Sequence, residues 1–247
     1  MDERVALVTG GGRGIGAATS KLLAGRGIKV AVNFARNEAS AQKVVEDITK
    51  ANGKAMSVQA DVRDAAEVEQ MVAAIVKAWG KVDILVNNAN MSFAMKPIAE
   101  MTWEEFSQKL NDEMKAAFLM TKAVTPLMME QKYGRIVYVA SGLARRPTRR
   151  MGAHGSAKAA LVQFARYVAE EYGQYGITAN TVSPGLVLTE ATRFRPEENL
   201  KRTASLTPLG HVATPDDVAH AIAMFCGDEC QFVTGSYLPV NGGMSMD

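Results

Sequence analysis

Cysteine is scarce in this chain. Only Cys226 and Cys230 are present, four residues apart in a segment whose spacing predicts a helix. A disulfide there would need unusual geometry, and a metal would lack its remaining ligands. Two inert thiols are expected, with no metal site. Long apolar runs are missing too: none approaches the roughly 20 residues needed to cross a bilayer, so no membrane span is expected. The opening MDERVALVTGGG lacks the basic region, apolar core and cleavage site of a secretory signal, and a cytoplasmic location is expected. Charge of one sign is also lacking. With 28 Lys and Arg against 26 Asp and Glu, the formal net charge is +2, which gives no support to nucleic acid or a membrane surface as partner.

Linkers, low-complexity tracts and internal repeats are absent, so the 247 residues are expected to form one domain, 1–247. Apolar residues make up 47% and charged residues 22%, enough to bury a sizeable core. Short apolar and β-branched runs alternate with helical spacing. Strands are predicted at Val5–Val8, Lys29–Asn33, Ala55–Ala60, Val82–Val86, Arg135–Ala140, Thr178–Val182 and Tyr237–Val240. Helices are predicted after the first glycines and over Ser40–Ala51, Ala65–Trp79, Thr102–Gln131, Met151–Tyr172 and Pro215–Cys226. Strands alternating with helices of this length imply right-handed βαβ units, hence an α/β, doubly wound Rossmann domain with a parallel sheet of about seven strands. The stretch Gly185–Gly210, with Pro196 and Pro208, reads as irregular and as a candidate lid.

Thr9-Gly10-Gly11-Gly12-Arg13-Gly14-Ile15-Gly16 joins the first strand to the first helix, the place where such a fold binds dinucleotide phosphates. Glycine lets the backbone approach the pyrophosphate, and the helix start offers free N–H groups. At the end of the second strand, a carboxylate would accept the ribose hydroxyls of NAD and repel a 2′-phosphate. Asn33 stands there instead, with Arg36 three residues on and Arg13 in the loop. Guanidinium groups bind phosphate oxygens bidentately, so NADP(H) is the expected cofactor; the alternative for Arg36 is a solvated loop residue.

The spacing Thr-Gly-x-x-x-Gly-x-Gly resembles the short-chain dehydrogenase/reductase family, and further segments follow in the family's order. These are Asp61-Val62, Asn87-Asn88-Ala89, Pro184-Gly185 and Asn241-Gly242-Gly243. Within the family, VNFARNE, VDILVNNA and TGSYLPVNGGM are most similar to 3-oxoacyl-[acyl-carrier-protein] reductases. The resemblance implies that Gly10, Arg13, Gly14, Ile15, Gly16, Asn33, Arg36, Asp61, Val62, Asn87, Ala89, Lys158, Pro184, Gly185, Val187 and Thr189 bind the cofactor.

The resemblance also implies a Ser that orients the carbonyl and a Tyr that moves the proton. A Lys four residues after the Tyr binds the ribose, and an Asn on the long fourth helix holds a relay water. Ser141 and Lys158 match the Ser and the Lys. His154 stands at the Tyr position, anchored by Ser141 thirteen residues earlier; Glu113 stands at the Asn position, and Asn90 replaces a Gly. Related enoyl reductases place their Tyr seven residues before the Lys, and that position is Met151. Imidazolium, with a reference pKa of about 6.5, is a competent general acid, and a carboxylate such as Glu113 would favour it. The catalytic set is thus expected to be Ser141, His154, Lys158 and Glu113. Two alternatives stay open: a dinucleotide-binding scaffold without reductase activity, and a non-redox isomerase or dehydratase using Glu113 and His154.

Arg145, Arg146, Arg149 and Arg150, between Ser141 and His154, and Arg193, Arg195, Lys201 and Arg202 further on suit an anionic substrate such as an acyl thioester on an acyl carrier protein or coenzyme A; a solvated basic surface is the alternative. Met91, Phe93, Met95, Met128, Met129 and Met151 are candidates for an apolar wall, or for core. Tyr138, three residues before Ser141, is expected to pack. Apolar surplus on the fourth and fifth helices predicts a homodimer or homotetramer.

Overall fold

The computed structural model describes residues 3–190 and 192–246. Seven parallel strands lie in the order β3-β2-β1-β4-β5-β6-β7: β1 Val5–Val8, β2 Lys29–Phe34, β3 Ala55–Gln59, β4 Ile84–Asn87, β5 Gly134–Val139, β6 Ile177–Pro184 and β7 Tyr237–Val240. The order reverses beside β1, which opens a crevice at the carboxyl ends of β1 and β4, the switch point where doubly wound sheets take ligands. Helices α1 Gly14–Gly25, α2 Glu38–Lys50 and α7 Pro215–Phe225 cover one face. Helices α3 Ala65–Trp79, α4 Trp103–Gln131 and α5 Gly152–Tyr172 cover the other.

Burial on both faces explains the apolar runs VALV and ILV, the second ending at Asn87, and every residue of both strands is buried. Helix α4 starts at a capping box, with Thr102 and Glu105 exchanging bonds with the backbone N–H groups. Its 29 residues run past Pro126 to Lys132, which closes the helix in the left-handed region at φ 51°. The length matters to the site, because Lys109 and Glu113 lie one turn apart near its start, on its buried face.

The expected irregular stretch after Gly185 contains a helix, α6 Glu197–Leu206. Pro196 caps it, Glu197 and Glu198 favour its positive end, and no residue of it is buried. Only Leu200, Ala204 and Leu206 of its ten residues are apolar, and Pro196 and Pro208 flank it, so the segment reads as a loop. Cys226 and Cys230 do not share a helix either: Cys226 is the C-cap of α7 and Cys230 ends a separate 3-10 turn. Both are free, and burial pushes the Cys226 thiol up to about 12, so it is unreactive. Among the described residues no helix is long and apolar enough to cross a membrane.

Candidate active site

The glycine-rich loop is held by its neighbours. Gly10 and Gly14 adopt φ 59° and 51°, a region that side chains with a Cβ rarely enter. A Cβ on Gly16 would lie 2.6 Å from Asn88 Nδ2, so that position must stay bare for the helix to seat on the loop. Thr9 Oγ1 accepts from the N–H groups of Asn88 and Ala89, both at 2.9 Å, and Asn88 Nδ2 donates to Thr9 O at 2.8 Å. These bonds lock the loop to the turn after β4. Arg13, the N-cap of α1, supplies no side-chain cap, and the first turn holds no acidic residue. The amide groups at this helix start are therefore available to an anion.

Asn33 is buried and internally committed. Its Oδ1 accepts from Gly10 N at 3.2 Å and its Nδ2 donates to Ala60 O at 3.0 Å. It braces the loop against β3 instead of offering its amide to a ribose, so the expectation of a direct cofactor contact is corrected. Arg13 and Arg36 are exposed on either side. Asp61 is held at about 2, chiefly by its hydrogen bonds from Arg63; Val62 is buried. Across the crevice, Val187 bridges to Ala213, Gly185 N donates to Val240 O at 3.0 Å, and a Cβ on Gly14 would come within 3.3 Å of Thr189 Cγ2. The turn after β6 therefore faces the glycine loop. Asn87 Nδ2 is buried without a partner, beside a narrow cavity lined by Thr9, Ala89, Glu113 and Leu161. An orphaned donor, bare glycines and an uncapped helix fit a dinucleotide.

At the far side of this cavity lies a buried ionic network. Glu113, 4% exposed, accepts from Lys158 Nζ through Oε1 and from Lys109 Nζ through Oε2, each at 2.6 Å. Lys158 also donates to Val139 O at 2.8 Å, two residues before Ser141, so the network reaches the end of β5. Two of the three Lys158 N–H groups are thereby used, and one is left for a ligand. Burial pushes the Glu113 carboxyl up, but the two ammonium groups together outweigh it and hold the carboxyl below its ordinary range. Ser141 Oγ accepts from Leu143 N at 3.3 Å, which keeps it at the start of the turn after β5.

His154 stacks on Phe93, with ring centroids 4.4 Å apart and planes at 22°. Its Nδ1 is buried and unpartnered. Burial first, and then the charges of Lys158 and Lys109, lower the imidazole from 6.5 to about 4. The expectation that Glu113 sustains imidazolium is overturned: the carboxylate is already shared between two cations, and the ring is neutral at pH 7. This has a consequence for stability. Because the folded value lies below the unfolded one, the unfolded chain takes the proton first, so stability present above pH 6.5 is lost as pH falls from 6.5 towards 4. The expected loss is about 3 kcal/mol. Urea unfolding at stepped pH is expected to show it in the natural chain and not in His154→Phe; equal slopes would refute the buried neutral ring.

Of the remaining expectations, Tyr138 is fully buried and shares a 2.7 Å hydrogen bond with Thr121, so it packs. Met128 belongs to the core, and Met91 and Met129 pack against it; of the proposed wall, Phe93 stacks on His154 and Met91 meets Lys109 through its backbone carbonyl. Arg145, Arg146, Arg149 and Arg150 are exposed. Arg145 lies over the Tyr237 ring at 3.8 Å, and Arg150 Nε donates to Met95 O at 3.2 Å. Lys109 escaped sequence reading altogether. The signal was its position four residues before Glu113 on the face that also carries Ala116, Ala117 and Met120.

Known proteins share this architecture over the full length. A family described as enoyl-(acyl carrier protein) reductase matches residues 10–245. A 3-oxoacyl-[acyl-carrier-protein] reductase of Synechocystis is 36% identical, covering 100% of this chain and 98% of that protein. The chain belongs to the short-chain dehydrogenase/reductase family. Of two further relatives, one carries the same activity in its name and the other a different one. The 3-oxoacyl-[acyl-carrier-protein] reductase of Escherichia coli is 35% identical, covering 100% of this chain and 99% of its own. A (2S)-[(R)-hydroxy(phenyl)methyl]succinyl-CoA dehydrogenase subunit of Thauera aromatica is 36% identical, covering 100% and 98%. The crystal structure of YwfH, described as an NADPH-dependent reductase involved in bacilysin biosynthesis, superposes with a TM-score of 0.91 over 99% of both chains at 22% identity, which shows the shared fold.

Proposed function

We propose that this short-chain oxidoreductase uses NADP(H) on a carbonyl/alcohol pair, the carbonyl being that of a 3-oxoacyl thioester or polyketide-type ketone carried on an acyl carrier protein or coenzyme A. The observation that supports this best is Lys158: its ammonium is bound to the end of β5 beside Ser141, one helical turn from His154, with one N–H unspent. Gly10, Gly14, Ile15 and Gly16 would hold the pyrophosphate, Arg13 and Arg36 the 2′-phosphate, and Asp61 and Val62 the adenine. Asn87, Ala89, Pro184, Gly185, Val187, Thr189 and Lys158 would hold the nicotinamide half. When bound, the cofactor supplies or accepts the hydride.

The protein's own part is to bind and polarise the substrate oxygen. The Ser141 hydroxyl and a neutral His154 N–H donate to that oxygen. A neutral ring has a lone pair to take a hydroxyl proton but no ready proton to give, so His154 serves alcohol oxidation at pH 7 and reduction only as pH falls towards 4. Initial rates with NADPH and a 3-oxobutyryl thioester, and with NADP and the 3-hydroxy form, test this across pH 5 to 8. Reduction is expected to climb on acidification. Arg36→Ala is expected to weaken NADPH binding about tenfold while leaving NADH within about twofold; equal losses would remove Arg36 from phosphate recognition.

The neutral ring also favours a second reading, a dinucleotide-binding subunit that does not turn over. NADPH bound tightly but consumed in neither direction would establish it. The non-redox reading is weakened, because a carboxylate with both oxygens on ammonium groups is a poor base. For the assembly, we propose a homodimer or homotetramer: Phe118 on α4 and Tyr167 on α5 are 51% and 60% exposed, large apolar surface for a monomer to leave in water.

A further inference from the structure

Burying an ammonium is costly unless every donor is met, and Lys109 is 0% exposed. Its three N–H groups reach Glu113 Oε2 at 2.6 Å, Asn90 Oδ1 at 2.8 Å and Met91 O at 2.9 Å. The ammonium also lies 5.6 Å from the centre of the Phe93 ring. Residues 88–97 carry no regular secondary structure, so no helical or sheet ladder fixes this segment. Within Asn90–Met91, two acceptors end on one side chain. Phe93, two residues later, stacks on His154, and His154 shares α5 with Lys158, whose ammonium returns to Glu113. Contacts run from Lys158 through Glu113 and Lys109 to Phe93 and His154, and one turn of α5 joins His154 back to Lys158.

We infer that Lys109 is a positioning residue for His154: by tying Asn90 and Met91 to Glu113, it fixes Phe93 and so sets the orientation of the imidazole that meets the substrate oxygen. The inference rests on the proposed role of His154. It explains why Asn90, Glu113 and His154 depart together from the family pattern, since one ammonium contacts the first two directly and the third through Phe93. A buried hydrophobe would fill the same space at lower cost, but it would release both loop acceptors. The charged groups around His154 are Lys158 on its own helix and Lys109 and Glu113 from α4; the loop contributes the uncharged Phe93.

The test uses the full chain labelled with 15N-histidine. It has three histidines, and His154→Asn assigns the signal. In the natural protein the His154 ring is expected to stay neutral from pH 8 to 5. In Lys109→Met its resonances are expected to shift as the Phe93 ring moves, and its titration midpoint to rise by about one unit or more as a repelling cation is lost. NADPH affinity is expected to hold within about twofold, while kcat/KM for the thioester falls about tenfold or more. Should Lys109→Met not fold, Lys109→Gln keeps N–H donors without charge, and the same rise in midpoint is expected. A folded variant with unchanged His154 resonances and midpoint overturns the inference. If the natural protein turns nothing over, the proposed activity fails, while the nuclear magnetic resonance comparison still decides the role of Lys109.

Discussion

His154→Tyr is expected to raise NADPH-dependent ketone reduction at pH 7 by about 100-fold, the lower end of what a positioned general acid contributes. The reason lies in the charge state of the site. The natural imidazole is held near pKa 4 by burial and by Lys158 and Lys109, so almost none of it is protonated at neutral pH. A phenol at the same place feels the same cations in the opposite sense: they favour phenolate, lower its pKa and make it a better proton donor. The Phe93 ring can stack on a phenol as it does on imidazole. His154→Phe, which keeps the stack without a hydroxyl, is the control. Stopped-flow measurement of NADPH consumption separates the cases, and equal rates in the Tyr and Phe variants would show that proton delivery is not what limits the natural protein.

The second large effect concerns stability. Glu113→Gln is expected to cost about 3–5 kcal/mol, because it leaves the ammonium groups of Lys109 and Lys158 buried without their shared counter-charge. For a chain of this size that corresponds to a fall of roughly 6–20 °C in Tm. The double variant Lys109→Met with Glu113→Gln is expected to lose less than the sum of the two single changes, since it removes one stranded charge along with its partner. Scanning calorimetry of the four proteins gives the coupling directly. Additive losses would mean that the two groups do not sense each other, contrary to the 2.6 Å contact.

Most of the fold was legible because the strands are buried on both faces and therefore read as plain apolar runs, as in Val5–Val8 and Ile84–Val86. Helix α6 was not, because it buries nothing, holds three apolar residues in ten and lies between Pro196 and Pro208. The site was legible to the extent that local spacing defines it: His154 and Lys158 are one turn apart on α5, and Ser141 opens the turn after the preceding strand. What decides its chemistry is not local. The state of His154 depends on Lys109, 45 residues away on another helix, and on a stacking partner in an irregular segment. Asn33 was misread for the same reason. The resemblance placed it among the cofactor-binding residues, whereas its burial and its bonds to Gly10 and Ala60 make it a brace.

The unfinished start of α1 ties occupancy to foldedness. A helix that lacks its own cap leaves its first donors to water until an anion replaces it, and only the folded chain can present them in one place. A ligand at a hundredfold excess over its Kd adds about 2.7 kcal/mol of resistance to unfolding. The amount of intact protein in a solution therefore follows the dinucleotide supply, whether or not that dinucleotide is ever oxidised or reduced.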